Sequence, residues 1–518
     1  MIYDLNKIKD DPFKDKSFDI CIIGGGIAGI TLAMYLKKDI NILLLEAGGV
    51  DYSMESQDIY KGRNVGHEYF NLDDCRGRWL GGTSNLWGGW CAPLSSCDFK
   101  KRDFVKHSGW PIDKIDLDPY EEEAKLITNL PKKSRVVKYK GWSDVLENSD
   151  ENFNGFKFQW SVPFSLNFRD KYKYELENRS NITCFVNANL TDMALLDDLS
   201  SIKSIEIKNY RNFAFTANAK TYILATGGIE NARLLLNFNK QCKNGIGNNN
   251  DLVGRFFAEH PHFNIGHFIM EDHIASIFAS KELEPVSVFR ANYLSPSEKF
   301  QKDDKVLNFG LRVGPSLKPY SYTFSYLHSF KEKLRNAICS TDWSLNTLSK
   351  LRGKEIECIS HDFDGGIKIA AESAPNPDSR ITIGPEVDKF GLKRTVLNWQ
   401  LSELDKLTFK KATIRFAELF AKQSLGRVKI EDWVLSDDAR FPGSPQELGG
   451  NHHMGTTRMA ANSLEGVVDK NQKVFGIDNM YVAGSSVFAT TGHVNPTFPI
   501  IQMTLRLADH LNTTNTTA

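Results

Sequence analysis

The chain is 518 residues long with 64 basic and 64 acidic side chains, and a net charge of zero gives no electrostatic reason to expect nucleic acid or an anionic membrane as partner. That length is enough for two or more lobes with sizeable cores. The first sixteen residues are polar and charged and lack an apolar core of leader type, so the chain reads as a soluble, cytoplasmic protein. No run approaches the roughly eighteen apolar residues that would predict a transmembrane segment. Eight cysteines lie scattered without C-x-x-C pairs, as buried thiols in a reducing compartment rather than a disulfide scaffold. Cys91 and Cys97 are close in sequence, but no His or Cys cluster completes a set of ligands, and no metal is expected.

The first organised stretch runs from Phe18 to Gly49. Phe18 to Ile23 is an apolar run of strand type, Ile27 to Leu36 has helix length and helix formers, and Asn41 to Leu45 is a second apolar run, which predicts β-turn-α-β. Gly24, Gly26 and Gly29 stand between strand and helix in G-x-G-x-x-G spacing, and Glu46 ends the second strand. In a dinucleotide site the first glycine permits the tight turn, the second lets backbone N–H groups approach a pyrophosphate, and the third packs the helix close to the strand. The acid accepts the hydroxyls of an adenosine ribose. The window Arg76 to Trp90 is rich in glycine, which supplies backbone approach rather than packing. Trp87 and Trp90 there either flank a flat ligand or lid a surface loop.

A helix is predicted after Pro119. Thr183 to Leu190, Ile202 to Ile207, Phe213 to Phe215 and Thr221 to Ala225 read as strands, and Gly227-Gly228 turns the last of them into a helix from Ala232 to Asn237. Between Pro261 and Pro442 the segments Lys305 to Val313, Gly366 to Ala371, Arg380 to Ile383 and Thr395 to Trp399 predict an antiparallel sheet with one face toward a ligand or lid. Tyr320 to Arg352 is helical in pattern and a lid candidate. Met480 to Ala483, a turn at Gly484 and a helix from Pro499 to His510 return the chain to a Rossmann-like sheet. The predicted fold class is therefore α/β, a Rossmann-like nucleotide-binding domain plus a substrate domain built on an antiparallel sheet packed with helices. The first is discontinuous over 17–98, 181–260 and 443–518, and the second covers 99–180 and 261–442.

GGGIAG with Glu46, RGRWLGGTSNLWGG, ATGGIENARLLL, the His452-x-x-Gly-Thr block and GSSVFATTGHVNPT occur in that order over nearly the whole chain. In this the sequence resembles the glucose-methanol-choline (GMC) oxidoreductases, flavoenzymes that oxidise alcohols and sugars, nearest the branch of pyranose oxidase, fructose dehydrogenase and gluconate dehydrogenase. The resemblance implies FAD as cofactor, with Gly24, Gly26, Gly29 and Glu46 on its ADP half and the Leu190 backbone at the adenine. Gly81, Gly82, Ser84, Trp87 and Gly88 would lie along the pyrophosphate and flavin, with Gly484, Asn495 and Pro496 near the isoalloxazine. His452 matches the family's catalytic histidine and Asn495 the second position, where members show His or Asn. His493 is a supporting candidate, and His453 competes with His452 for the role.

Several members attach FAD covalently through a histidine where this chain has Leu86, so the cofactor is expected to be non-covalent. Asn231-Ala232 and Phe488-Ala489-Thr490 replace the family's usual Thr/Ser-Pro and Phe-Pro-Thr. The expected function is oxidation of a CH–OH group of a sugar, polyol or other alcohol, by hydride transfer to flavin N5 with a His general base. The partners are then the small-molecule alcohol or sugar and an electron acceptor, with oxygen, a quinone and a redox protein all open. Two other readings stand beside it. An NAD(P)H-linked flavin reductase or hydroxylase would need a second G-x-G-x-x-G, which the chain lacks, and a non-catalytic flavin-binding subunit would leave His452 and Asn495 without purpose.

Overall fold

Six parallel strands form the sheet on which the nucleotide motif sits, in the order Ile2–Asp4, Ile182–Val186, Ile42–Leu45, Phe18–Ile23, Ala219–Leu224 and Met480–Val482. The computed structural model describes residues 1–131, 150–163, 166–270, 291–315, 363–437, 440–443 and 448–514. ICII, after Asp19 at the strand's entry, and ILLL are unbroken apolar runs because both faces of this sheet are covered. Ile20, Ile22, Ile42 and Leu44 pack with the helix Ile27–Tyr35 and the terminal helix Thr497–Thr514. Cys21, Ile23, Leu43 and Leu45 pack on the opposite side with Leu190, Ile229, Leu234 and Met480. The edge strand Ile2–Asp4 lies within the polar first sixteen residues, where no strand was predicted.

A second sheet of seven strands is antiparallel. Its order is Arg427–Ile430, His262–Met270, Phe363–Ala371, Phe309–Pro315, Ala291–Pro296, Phe153–Trp160 and Trp90–Cys91. One face carries Phe263, Ile265, Phe268, Leu294, Leu311, Ile367 and Ile369, and these meet Phe409, Phe416 and Phe420 of the helix Glu403–Lys422. Two three-stranded sheets complete the described architecture. One pairs Ala214–Ala217, Ile202–Lys208 and Asn189–Leu195, and the other pairs Arg380–Val387, Lys393–Asn398 and Gly62–Asn64.

Two predicted strands are corrected. Thr183 to Leu190 is two strands, because Asn187 takes φ 58° and turns the chain between Ile182–Val186 and Asn189–Leu195, which join different sheets. Lys305 is no strand residue. At φ 54° it closes the helix Glu298–Asp304, and the strand begins at Phe309. The stretch 320–352 lies outside the described residues.

Candidate active site

One cavity of about 480 Å³ brings the scattered motifs together. Gly24, Gly26, Glu46, Gly82, Trp87, Gly88, Leu190, His452, Gly484, Asn495 and Pro496 all line it. Its volume is in the range of small-molecule and cofactor sites. Gly29 stands behind the wall, where an added Cβ would overlap the Gly24 carbonyl oxygen, so its role is packing of helix on strand. Gly26 differs. A Cβ there would find only the Gly82 Cα, 3.9 Å away, and would project into the cavity instead. Gly26 also ends the helix Ile27–Tyr35 with no side-chain cap, so the first-turn N–H groups and the positive end of the helix dipole remain for an anion. These are the features a pyrophosphate requires.

At the adenosine end, Glu46 is buried, with Oε2 accepting from the Gly25 N–H at 2.8 Å and Oε1 from the Gly48 N–H at 2.8 Å. Each oxygen keeps a second lone pair for a ribose hydroxyl. Burial pushes this carboxyl above its ordinary range, against the pull of those N–H groups and of Arg78. Arg76 and Arg78 also line the cavity, stacked over Tyr60 at 4.0 and 5.4 Å. Burial works against the charge of the adjoining Glu230, but Arg233, Arg76 and Arg78 outweigh it and hold the carboxyl below its usual range. Gly81 and Ser84 are not in the lining. The Ser84 hydroxyl donates to the Gly81 carbonyl at 2.6 Å and accepts from the Phe168 N–H at 3.1 Å, so it joins the glycine loop to the helix Phe168–Asn178.

At the other end of the chain the His block is stitched to the final turn. The Gly455 N–H donates to the Ser485 carbonyl at 3.1 Å, the Thr457 N–H to the Ser486 carbonyl at 2.8 Å, and the Ser485 hydroxyl to the His453 carbonyl at 2.6 Å. This leaves His452 half-buried at the cavity wall and turns His453 inward, against Phe257 and Tyr69. His493 is not in the lining. Its Nε2 meets the Ser295 hydroxyl at 3.1 Å and its ring packs edge-on against Phe156, so it faces the antiparallel sheet. Burial lowers His453 to about 3 and His493 to about 4, and burial together with the neighbouring histidines takes His452 well below the ordinary imidazole value.

Sequence reasoning missed the group that holds His452. Residues 258–261 run antiparallel to 449–454, bridged at Ala258 with Met454 and at Pro261 with Gly449. Glu259 is buried in this seam, accepting the His452 N–H at 2.8 and 2.9 Å, the His260 N–H at 2.8 Å, the Gly450 N–H at 3.2 Å and the Tyr69 hydroxyl. Burial raises its carboxyl above the ordinary range against those donors. His260 Nδ1 lies 2.9 Å from His452 Nδ1, and the His262 ring faces His452 edge-on at 6.1 Å. The available signal was the density of titratable residues in Glu259-His260-Pro261-His262, which fell on a proposed domain boundary. Among the described residues no cluster of His, Cys, Asp or Glu is arranged to hold a metal ion, and no helix is long and apolar enough to cross a membrane.

Residues 375–504 match the family model described as GMC oxidoreductase. Over that segment, about a quarter of its length, the chain is similar to the GMC oxidoreductases. GMC oxidoreductases bind FAD, and this cavity's uncapped helix end, side-chain-free Gly26 and buried Glu46 suit that cofactor. The chain is 25% identical over 303 residues to a 2-methyl-1,2-propanediol dehydrogenase of Mycolicibacterium austroafricanum, a match covering 57% of this chain and 48% of that one. It is 24% identical over 294 residues to a fructose dehydrogenase large subunit of Gluconobacter japonicus, covering 56% and 47%. The matches thus span about half the length of these curated relatives. In fold it is similar to an FAD-dependent oxidoreductase from Chaetomium thermophilum, with a TM-score of 0.58 at 14% identity, over 96% of this chain and 100% of the other.

Proposed function

We propose that this chain is a GMC oxidoreductase that oxidises a CH–OH group of a sugar, polyol or other alcohol, with His452 as general base and Asn495 as hydrogen-bond donor to the substrate oxygen. The observation that carries the reading is that His452 and Asn495 line the same cavity as Gly24, Gly26 and Glu46, although more than 400 residues separate the two groups in sequence. FAD, when bound, would supply the hydride acceptor at flavin N5, which no protein side chain offers. Burial keeps the His452 ring neutral at physiological pH, as a base must be. The substrate hydroxyl proton goes to that ring. The Asn495 carboxamide makes no hydrogen bond with a described residue and is left to meet the alkoxide that forms. Both curated relatives are named for CH–OH donors, a diol and a ketose, which supports the same substrate class here.

The test is anaerobic reduction of bound flavin by a panel of sugars, polyols and primary alcohols. His452→Ala is expected to slow reduction by about 10²–10⁴-fold, the usual contribution of a positioned base. If the variant reduced its flavin as fast as the parent, the assignment would fall. Reoxidation by an artificial dye and by oxygen then distinguishes a dehydrogenase from an oxidase.

A further inference from the structure

Resting on the reading of His452 as the base, we infer that His260 is a positioning residue. It sets the tautomer of His452 and keeps its Nε2 bare for a substrate hydroxyl proton. The two Nδ1 atoms are 2.9 Å apart, and between two neutral imidazoles such a contact holds a single hydrogen, so one ring donates and the other accepts. The far side of His260 decides which. Its Nε2 lies 3.4 Å from the Thr491 carbonyl oxygen, and a carbonyl can only accept. Nε2 of His260 therefore carries the hydrogen, and its Nδ1 presents a lone pair. His452 Nδ1 must donate to that lone pair, which leaves Nε2 of His452 without a hydrogen.

The surroundings hold this arrangement. His260 is fully buried, so a bare Nε2 facing the Thr491 carbonyl would leave a hydrogen bond unmade, a bias of about ten- to a hundredfold against the other tautomer. Glu259 does not compete for either ring, since its oxygens accept the backbone N–H groups of His260, Gly450 and His452 and the Tyr69 hydroxyl. Burial and the nearby His262 and His493 keep His260 uncharged, at about 3. Among the described residues, His452 Nε2 has no hydrogen-bond partner, and the residue lines the cavity.

Two measurements test this, one independent of turnover. In FAD-loaded protein labelled with ring-¹⁵N histidine, with His452 assigned by the signals lost in His452→Gln, His452 is expected to show a protonated Nδ1 and a bare Nε2. A protonated Nε2 would overturn the proposal. The second compares His260→Asn, whose amide oxygen takes the place of Nδ1 as acceptor, with His260→Leu, which has no acceptor. At equal flavin content, flavin reduction by substrate should stay within about fivefold of the parent in the Asn variant and slow about a hundredfold in the Leu variant. Equal rates in the two would reduce His260 to a packing residue. If His452→Ala proved as fast as the parent while the ¹⁵N result stood, the base assignment would fail and the tautomer relay would remain.

Discussion

Gly26 and Gly29 answer one substitution in opposite ways. A Cβ on Gly29 overlaps the Gly24 carbonyl oxygen, so Gly29→Ala forces helix and strand apart and is expected to cost about 2–3 kcal/mol of stability. Gly26→Ala meets no protein atom closer than 3.9 Å. Its unliganded stability should change by about 1 kcal/mol or less, while its FAD affinity falls by about ten- to a hundredfold as the methyl enters the pyrophosphate path. Thermal melts without FAD and flavin fluorescence titrations separate the two effects, and equal losses in both variants would contradict the division of roles. Leu86 carries a second expectation. It is 56% exposed and lines the cavity, and an aliphatic side chain cannot bond to a flavin, so acid precipitation should leave all yellow colour in the supernatant. The two glycines could be read from their type and spacing, whereas Leu86 entered only through the family resemblance. Glu259 and His260 were not legible, because their role comes from the pairing of 258–261 with 449–454, a contact across some 190 residues that no local pattern encodes.

At the scale of elements, the turn after the strand Ala219–Leu224 is tied to the turn after Met480–Val482 by one side chain. Asn231 Oδ1 accepts from the Thr226 N–H at 2.8 Å and the Thr226 hydroxyl at 2.6 Å. Its Nδ2 donates to the Ser486 hydroxyl at 2.8 Å and the Ala483 carbonyl at 3.3 Å. The departure from the family's Thr/Ser-Pro thus has a physical role of its own. Asn231→Ala leaves several buried polar groups unpaired and is expected to lower stability by about 2–4 kcal/mol. Because Gly227 and Gly484 both line the cavity, FAD affinity should fall with it. A urea titration showing a loss below about 0.5 kcal/mol would mean that water replaces these bonds freely. Elements such as this were readable where period and punctuation agree, as in Phe18–Ile23. They were misread where a single backbone angle decides, as at Asn187 and Lys305, since positive φ in Asn or Lys leaves no trace in an apolar pattern.

The whole molecule folds both ends of the chain around one cavity and so buries several histidines, which makes its stability depend on pH in a definite direction. His260 and His453 sit at about 3 and His493 at about 4, with His452 also displaced downward. Above the unfolded value of about 6.5 these rings are neutral in both states and contribute nothing to the pH dependence. Below it the unfolded chain binds protons that the folded chain refuses, so stability falls with pH until the folded values are reached. At pH 5 each of the three rings with a stated value opposes folding by about 2 kcal/mol relative to pH 7. Carboxyls act the other way. Asp405, raised to about 6 by burial, regains about 1 kcal/mol over the same interval, and Glu46 and Glu259 share its sign. The three rings with stated values together outweigh Asp405. The urea midpoint of FAD-saturated protein is therefore expected to drop by an amount equivalent to several kcal/mol between pH 7 and pH 5, whereas acidification through a carboxylate-dominated range would spare it until below about pH 4.5. A midpoint that holds or rises from pH 7 to pH 5 would contradict the downward displacement of His260, His453 and His493 in the folded protein.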